Sequence, residues 1–384
     1  MALRLVLKRP RQYRRTAHLN TTHRRRQAFY ALPSAHWQML AEPPFSILDH
    51  LTRVDDAIDA NADIADAILA TGLASFGLPA DPSPDDPARN WHDTATSSDV
   101  NKAHSTIRQF YRDWSDEGAW EQEICYSPVF WALDGEFRDQ HAPGQDQNEE
   151  IKVLVPGAGL GRLVFKLCLR GFAAEGNEIS YHQLMASNWV LNQTAGAKQH
   201  ALYPFAHHFS NLRSREQQLR KVLIPDMQPG RVIMDSDFRY GTMSMSAADF
   251  AVAYRSESNR EAFHAVATVF FIDTAPNLIR YVEAIRNCLK PNGIWINVGP
   301  LLWHFEEGKN HQESHSEGIG ESGSVELTEQ EVFCLAERMG FDIEKRPLED
   351  SREQPEERRC GYIQDPESML QNLYRPSYWI ARKK

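Results

Sequence analysis

The sequence predicts an α/β fold, a doubly wound sheet preceded by a helical extension. Three observations predict it. From Ile151 onward, short apolar runs alternate with helical patterns. The first of those runs ends in a glycine turn that opens a helix. Before residue 135 the apolar residues recur at helical spacing, with no strand alternation.

In chain order, residues 13–75 read as helical: Leu48, Leu51, Val54, Ala57 and Ile58 share a face, continued by Ile64, Ala67, Ile68 and Leu69. Residues 78–99, with Pro79, Pro82, Pro84 and Pro87, read as a loop. A helix follows, with Ser105 as its N-cap and Ile107, Phe110, Tyr111 and Trp114 on one face. Residues 136–150 are polar and read as loop, which sets a boundary between an extension over 1–135 and a sheet domain over 136–384. Ile151 to Val155 is a buried parallel strand, Gly161 to Arg170 a helix, and the region around Phe172 to Ala174 a second strand, followed by Glu175-Gly176-Asn177-Glu178. Ala265 to Ile272 and Gly293 to Val298 are later strands, joined by an amphipathic helix over Ile279 to Leu289. Residues 306–324, rich in Gly, Ser, Glu and His, read as a flexible insertion. A helix over Thr328 to Met339, a strand after Gly340 and a strand over Tyr378 to Arg382 close the chain.

Composition narrows the function. The 384 residues are 42% hydrophobic and 24% charged, a globular balance. A net charge of −10 argues against nucleic-acid binding, which needs a positive surface. No apolar run is long enough to span a membrane. The five cysteines are scattered without a CxxC pair, so reduced thiols are expected and a zinc site is not. Residues 1–41 contain no Asp or Glu and carry Arg14, Arg15, Arg24, Arg25 and Arg26. That composition suits a mitochondrial transit peptide or the positive face of a helix; Phe29, Tyr30 and Leu32 run on into folded-looking sequence, which favours the helix.

The central signal is Val153-Leu154-Val155-Pro156-Gly157-Ala158-Gly159-Leu160-Gly161. Glycines stand where backbone must approach a ligand closely, and the helix that follows offers free N–H groups. A dinucleotide turn needs G-x-G-x-x-G, whose third glycine falls here on Arg162. The actual G-x-G-x-G suits the aminoacid end of S-adenosylmethionine, which carries no pyrophosphate. Glu178 follows about twenty residues on, where a carboxylate at the end of the second strand accepts ribose hydroxyls. Asp249-Phe250 stands at the third strand–helix junction, as an adenine-binding pair or as a helix cap.

Val269-Phe270-Phe271-Ile272-Asp273-Thr274-Ala275 ends an apolar strand in a carboxylate, at the strand end where open α/β sheets bind ligands. Asp273 is either a cap or a group that accepts an N–H from an imidazole, fixing its tautomer and stabilising positive charge on it. Trp303-His304-Phe305 follows a further strand, so His304 is a structural histidine or a substrate ligand. His304, His311 and His315 lack helical i, i+4 spacing, so no metal site is expected.

These blocks, together with Gly176-Asn177-Glu178, Phe209-Ser210-Asn211, Trp295-Ile296-Asn297-Val298-Gly299-Pro300-Leu301-Leu302 and Arg108-Gln109-Phe110-Tyr111-Arg112-Asp113-Trp114-Ser115, resemble the carnosine N-methyltransferases over residues 13–384. The resemblance implies a Rossmann-like class I methyltransferase sheet, mostly parallel with an antiparallel edge strand, under a helical extension that covers the cofactor. It implies methyl transfer from S-adenosylmethionine to the imidazole of carnosine, giving anserine. Gln109, Arg112, Gly157, Gly159, Gly161, Glu178, Asp249 and Phe250 take the cofactor in this reading. Asp273 is the essential acid, and Phe270, His304, Tyr362 and Tyr374 join it around a histidine-containing dipeptide. A homodimer and a cytoplasmic location extending to the nucleus accompany the expectation. The sequence departs from the family pattern at 306–324, at Trp303, and at Asn372-Leu373-Tyr374, all near the expected substrate pocket. The competing readings are a methyltransferase acting on a protein histidine, an inactive binding module of the same fold, and a dehydrogenase, which Arg162 disfavours.

Overall fold

The computed structural model describes residues 10–79, 97–138, 150–235, 240–304, 323–344 and 359–384. Residues 80–96 of the expected proline-rich loop, 139–149 of the expected polar loop, most of the 306–324 insertion, and His311 and His315 lie outside the described residues; residues 97–99 and 136–137, expected as loop, are helical. The chain divides into two compact units: Met1–Ala119, Met185–Pro229 and Ile363–Asn372 in the first, and Trp120–Leu184, Gly230–Tyr362 and Leu373–Lys384 in the second.

Among the described residues, the regular structure of the first unit is helical apart from one pair of short antiparallel strands, β3 (His200–Leu202) and β4 (Val222–Ile224). Its longest helix, Ile47–Ser75, buries the stripe Leu51, Val54, Ala57, Ile58, Ile64, Ile68 and Leu69. The opposite face carries Asp55, Asp59, Asp63 and Asp66, at the three- and four-residue steps that align side chains along a helix. Arg14, on helix Pro10–His18, reaches Asp59, Asp63 and Asp66, and Arg26 reaches Asp55. The Arg-rich start thus matches an acidic helix face. Helix Ser97–Trp114 begins before the expected cap: Ser105 lies inside it, and beside it the Thr106 hydroxyl donates to Lys102 O one turn earlier, at 2.9 Å.

The second unit holds the sheet. Its seven strands run in the order β5-β2-β1-β6-β7-β9-β8, where β1 is Lys152–Pro156, β2 Ala173–Glu178, β5 Met243–Ala247, β6 Phe263–Val269, β7 Leu289–Gly299, β8 Phe341–Glu344 and β9 Ser377–Lys383. All neighbours are parallel except β9, which runs antiparallel to both β7 and β8. The reversed strand therefore sits one place in from the edge, with β8 outside it. The expected mostly parallel α/β sheet is present.

Successive residues of a strand face opposite sides. Val153 and Val155 join one core with Leu163, Leu167, Val129 and Leu133, while Leu154 joins the other with Phe250, Leu278, Val282 and Trp295. Both faces of β1 are covered, which is why it reads as an unbroken apolar run. Strand β2 continues past Ala174 through the polar Glu175-Gly176-Asn177-Glu178. Strand β6 stops at Val269, short of the expected Ile272, because Phe270 adopts φ +52° and the chain turns into a 3₁₀ segment, Ile272–Thr274.

The chain leaves β1 toward β2 and β5 on one side, while β6 and β7 lie on the other. The sheet order thus reverses between β1 and β6. Ligands of open α/β sheets sit outside the carboxyl ends of the strands at such a reversal.

Candidate functional site

Two turns flank the reversal, and both carry residues expected from the sequence. The turn after β1 places Gly157, Gly159 and Gly161 at φ +67°, +56° and +78°, the left-handed region in which a side chain is strained. Helix Arg162–Leu169 begins there. Beside Gly159 a Cβ would meet nothing within 4 Å, so this part of the turn faces open space. At Gly157 a Cβ would fall 2.5 Å from the Phe271 ring, so the missing side chain admits an aromatic one. Arg162, in the place of a dinucleotide glycine, is buried at the helix start, and its Nε donates to Gln122 at 3.3 Å.

Glu178 ends β2 and is buried. Its carboxylate accepts from Gly159 N–H at 3.0 Å, Ile179 N–H at 2.9 Å and Ser180 N–H at 2.8 Å, tying the two turns together. Asp249 follows β5. It caps helix Phe250–Ala253 by accepting from Val252 N–H at 3.0 Å. Phe250 is buried and meets Phe271 and Tyr281 edge-on, each at 5.3 Å.

Phe271 and Tyr281, which the sequence does not single out, belong here. Phe271 stacks on Tyr281 with ring centroids 4.9 Å apart and planes within 16°. Burial pushes the Tyr281 hydroxyl up to about 12; the Thr274 hydroxyl opposes this, and the negative charges of Asp249 and Glu178 add to it. Tyr281 therefore lies within electrostatic reach of both acids. Its only signal in the sequence was a place on an amphipathic helix, which a core aromatic would share.

The turn after β6 holds Phe270 and Asp273. Phe270 N–H donates to Val298 O at 2.9 Å, and its left-handed backbone is a strained conformation of the kind that collects at functional sites. A Cβ on Gly299 would come within 3.1 Å of Phe270 N, so the glycine makes room for this turn. The Phe270 ring lies 5.5 Å from the Tyr362 ring and 6.0 Å from that of Tyr374. Three substrate-site candidates far apart in sequence are thus brought together. Tyr374 is paired by an isolated bridge with Cys360, two residues before Tyr362, and the two exchange backbone hydrogen bonds at 2.9 and 2.8 Å.

Asp273 is 3% exposed. Its Oδ2 accepts from Leu302 N–H at 3.0 Å, and its carbonyl accepts from His304 N–H at 3.2 Å. Burial pushes the Asp273 carboxyl above the usual carboxylate range, an effect that the Leu302 amide and the His304 imidazole partly offset. His304 is exposed and electrostatically coupled to Asp273.

Gln109 and Arg112 lie on helix Ser97–Trp114 of the first unit. Gln109 is buried, and Arg112 Nε donates to Asp113 Oδ1 at 2.7 Å. Among the described residues no group of three or more metal-ligating side chains occurs, and no helix is long and apolar enough to cross a membrane.

The glycine turn, the adjoining open space and the carboxylate at the end of β2 fit the aminoacid and ribose parts of S-adenosylmethionine. A model of the carnosine N-methyltransferase family matches residues 89–384. The carnosine N-methyltransferase of Schizosaccharomyces pombe is 36% identical over 372 residues, 96% of this chain and 92% of that protein. The mouse protein of the same name is 34% identical over 97% of this chain and 84% of its own length. A Drosophila melanogaster relative, carnosine N-methyltransferase unmet, is 38% identical over 74% of this chain and 56% of its own. With the sheet order, the glycine turn and the acid-bearing β6 turn already in place, this likeness over nearly the whole length shows that the chain belongs to the carnosine N-methyltransferase family.

Proposed function

We propose that this protein transfers a methyl group from S-adenosylmethionine to an imidazole nitrogen of carnosine, giving anserine. The observation that carries the reading is the buried Asp273 carboxylate at the sheet's switch point, on the same turn as Phe270, whose ring contacts Tyr362 and Tyr374.

The turn at Gly157, Gly159 and Gly161 holds the aminoacid end of the cofactor, Glu178 its ribose, and Asp249 with Phe250 its base. Gln109 and Arg112 are assigned the aminoacid carboxylate on the family likeness alone. When bound, S-adenosylmethionine supplies an electrophilic methyl on a sulfonium that leaves as a neutral thioether.

The protein's own task is to present the acceptor ring. An imidazole nitrogen offers its lone pair only while the other ring nitrogen holds the proton. Asp273 accepts that N–H, selects the tautomer and stabilises the charge that develops on the ring. Burial raises its proton affinity, which suits it to take the proton once transfer is complete. Phe270, Tyr362 and Tyr374 pack on the ring, and His304 contacts the dipeptide beyond it. Positioning of this kind supplies much of the rate in a two-substrate reaction.

The test is incubation with labelled S-adenosylmethionine and a panel of carnosine, free histidine and histidine-containing peptides. Carnosine is expected to be the preferred acceptor. Asp273→Asn is expected to bind the cofactor normally and to lose transfer by about 10²-fold or more, the usual contribution of acid–base catalysis. Preference for a protein histidine would move the substrate, and full turnover by Asp273→Asn would remove Asp273 from the mechanism.

A further inference from the structure

Cys125 lies on helix Ala119–Phe137, and Cys360 lies in the bridge that carries Tyr374. They are 235 residues apart in sequence, yet their sulfurs stand 3.0 Å from one another. Both are buried, at 4% and 0% exposure. A disulfide needs an S–S separation of about 2.05 Å, so closure by about 1 Å would form one.

The surroundings of Cys360 make that closure consequential. Its N–H and C=O are the two groups that pair with Tyr374, and Tyr362 follows two residues later. Both tyrosine rings contact Phe270. A pull on the Cys360 sulfur is therefore a pull on the aromatic cluster. Reaching the Cys360 sulfur, at 0% exposure, requires the Cys360–Tyr374 pair to open; it is an isolated bridge outside the named strands, the kind of contact that opens at low cost. The other thiols lack such a partner among the described residues. Cys168 donates to Gly241 O at 3.0 Å, burial pushes Cys288 up to about 12, and Cys334 is exposed.

We propose that Cys125 and Cys360 form a reversible intramolecular disulfide site, driven by a small-molecule disulfide, that displaces the tyrosines of the acceptor pocket. The Cys360 thiolate attacks one sulfur of the small disulfide; that S–S bond breaks and one thiolate leaves, taking up a proton. The Cys125 thiolate then attacks the Cys360 sulfur of the mixed disulfide and releases the second small thiol. Two protein thiols are oxidised and one small disulfide is reduced to two thiols.

The effect on turnover rests on the methyl-transfer reading; the disulfide itself does not. The test incubates the full chain with oxidised glutathione, then maps alkylated peptides by mass. A linked Cys125–Cys360 peptide lighter by two hydrogens is expected, reversed by dithiothreitol. The KM for carnosine is expected to rise about tenfold with the cofactor Kd unchanged, within the ~10²-fold that a 1 Å misplacement can cost. Cys125→Ala should show neither linkage nor KM response; if it fails to fold, the peptide map of the native chain still decides. Alkylation of both cysteines after oxidation would overturn the site. Linkage with unchanged kinetics would overturn its coupling to the pocket. If the reduced protein methylates no imidazole, the functional reading falls while the mass map still judges the disulfide.

Discussion

Gly157 and Gly159 share a turn and a left-handed backbone, but the structure separates what a methyl group would do at each. At Gly159, φ is +56° and a Cβ meets nothing within 4 Å. Gly159→Ala therefore carries only the conformational cost of a left-handed alanine, about 1–2 kcal/mol. At Gly157, φ is +67° and the Cβ lies 2.5 Å from Phe271 Cδ2, a distance real Cβ atoms do not show. The Phe271 ring cannot simply swing away, because it stacks on Tyr281 at 4.9 Å and meets Phe250 at 5.3 Å. Overpacking of this kind adds roughly 1–3 kcal/mol, so Gly157→Ala is expected to cost about 2–5 kcal/mol in all. Urea unfolding, read by midpoint at constant slope, measures the difference between the two variants. In the Phe271→Ala background the excess at Gly157 should vanish, leaving a coupling of about 1–3 kcal/mol between the two sites. Equal losses for the two glycine variants, or an unchanged excess without the ring, would refute the packing argument.

Glu178→Gln is expected to raise the cofactor Kd about tenfold or more, roughly one or two hydrogen bonds, and equilibrium dialysis with an unchanged Kd would contradict the ribose assignment. His104 and His207 face one another with ring centroids 4.4 Å apart, and burial, before the charges of Arg108, Arg25, His18 and His208, lowers them to about 4 and about 3. The unfolded chain takes up protons on these two histidines near pH 6.5 that the folded chain refuses, so the pair's contribution to stability should be level above pH 6.5 and fall steadily below it. Circular dichroism from pH 7 to pH 4 should show that loss reduced in His207→Gln; an unaltered profile would place the acid sensitivity elsewhere. Arg14→Ala removes contacts to Asp59, Asp63 and Asp66, yet the Arg14 side chain is 37% exposed. Its loss should cost less than about 1 kcal/mol and shrink as salt is added, which thermal melts at two ionic strengths would check.

Much of this protein is decided by local sequence. Leu154 and its neighbours are apolar on both strand faces because β1 is covered on both, and that leaves a run any reader can see. Left-handed turns leave glycines, so the turn after β1 is visible at Gly157, Gly159 and Gly161, and Glu178 and Asp273 stand out as carboxylates that follow apolar runs, although β2 reaches Glu178 through a polar tail and β6 stops four residues before Asp273. The short strands β3 and β4, and the polar tail of β2, were not visible. Three residues carry too little periodicity, and Glu175-Gly176-Asn177 imitates a turn.

Encounters across long separations are set when the elements pack. Phe271 fills the space left by Gly157 and stacks on Tyr281; Phe270 gathers Tyr362 and Tyr374; Cys125 meets Cys360; an acidic helix face answers the arginines of the N-terminal segment. Hydrophobic periodicity states which face of an element is buried, not which element lies against it. That partner is chosen by strand order and by the turns that link the strands, so the chemistry of single positions is written along the chain while their company is set only when the sheet closes.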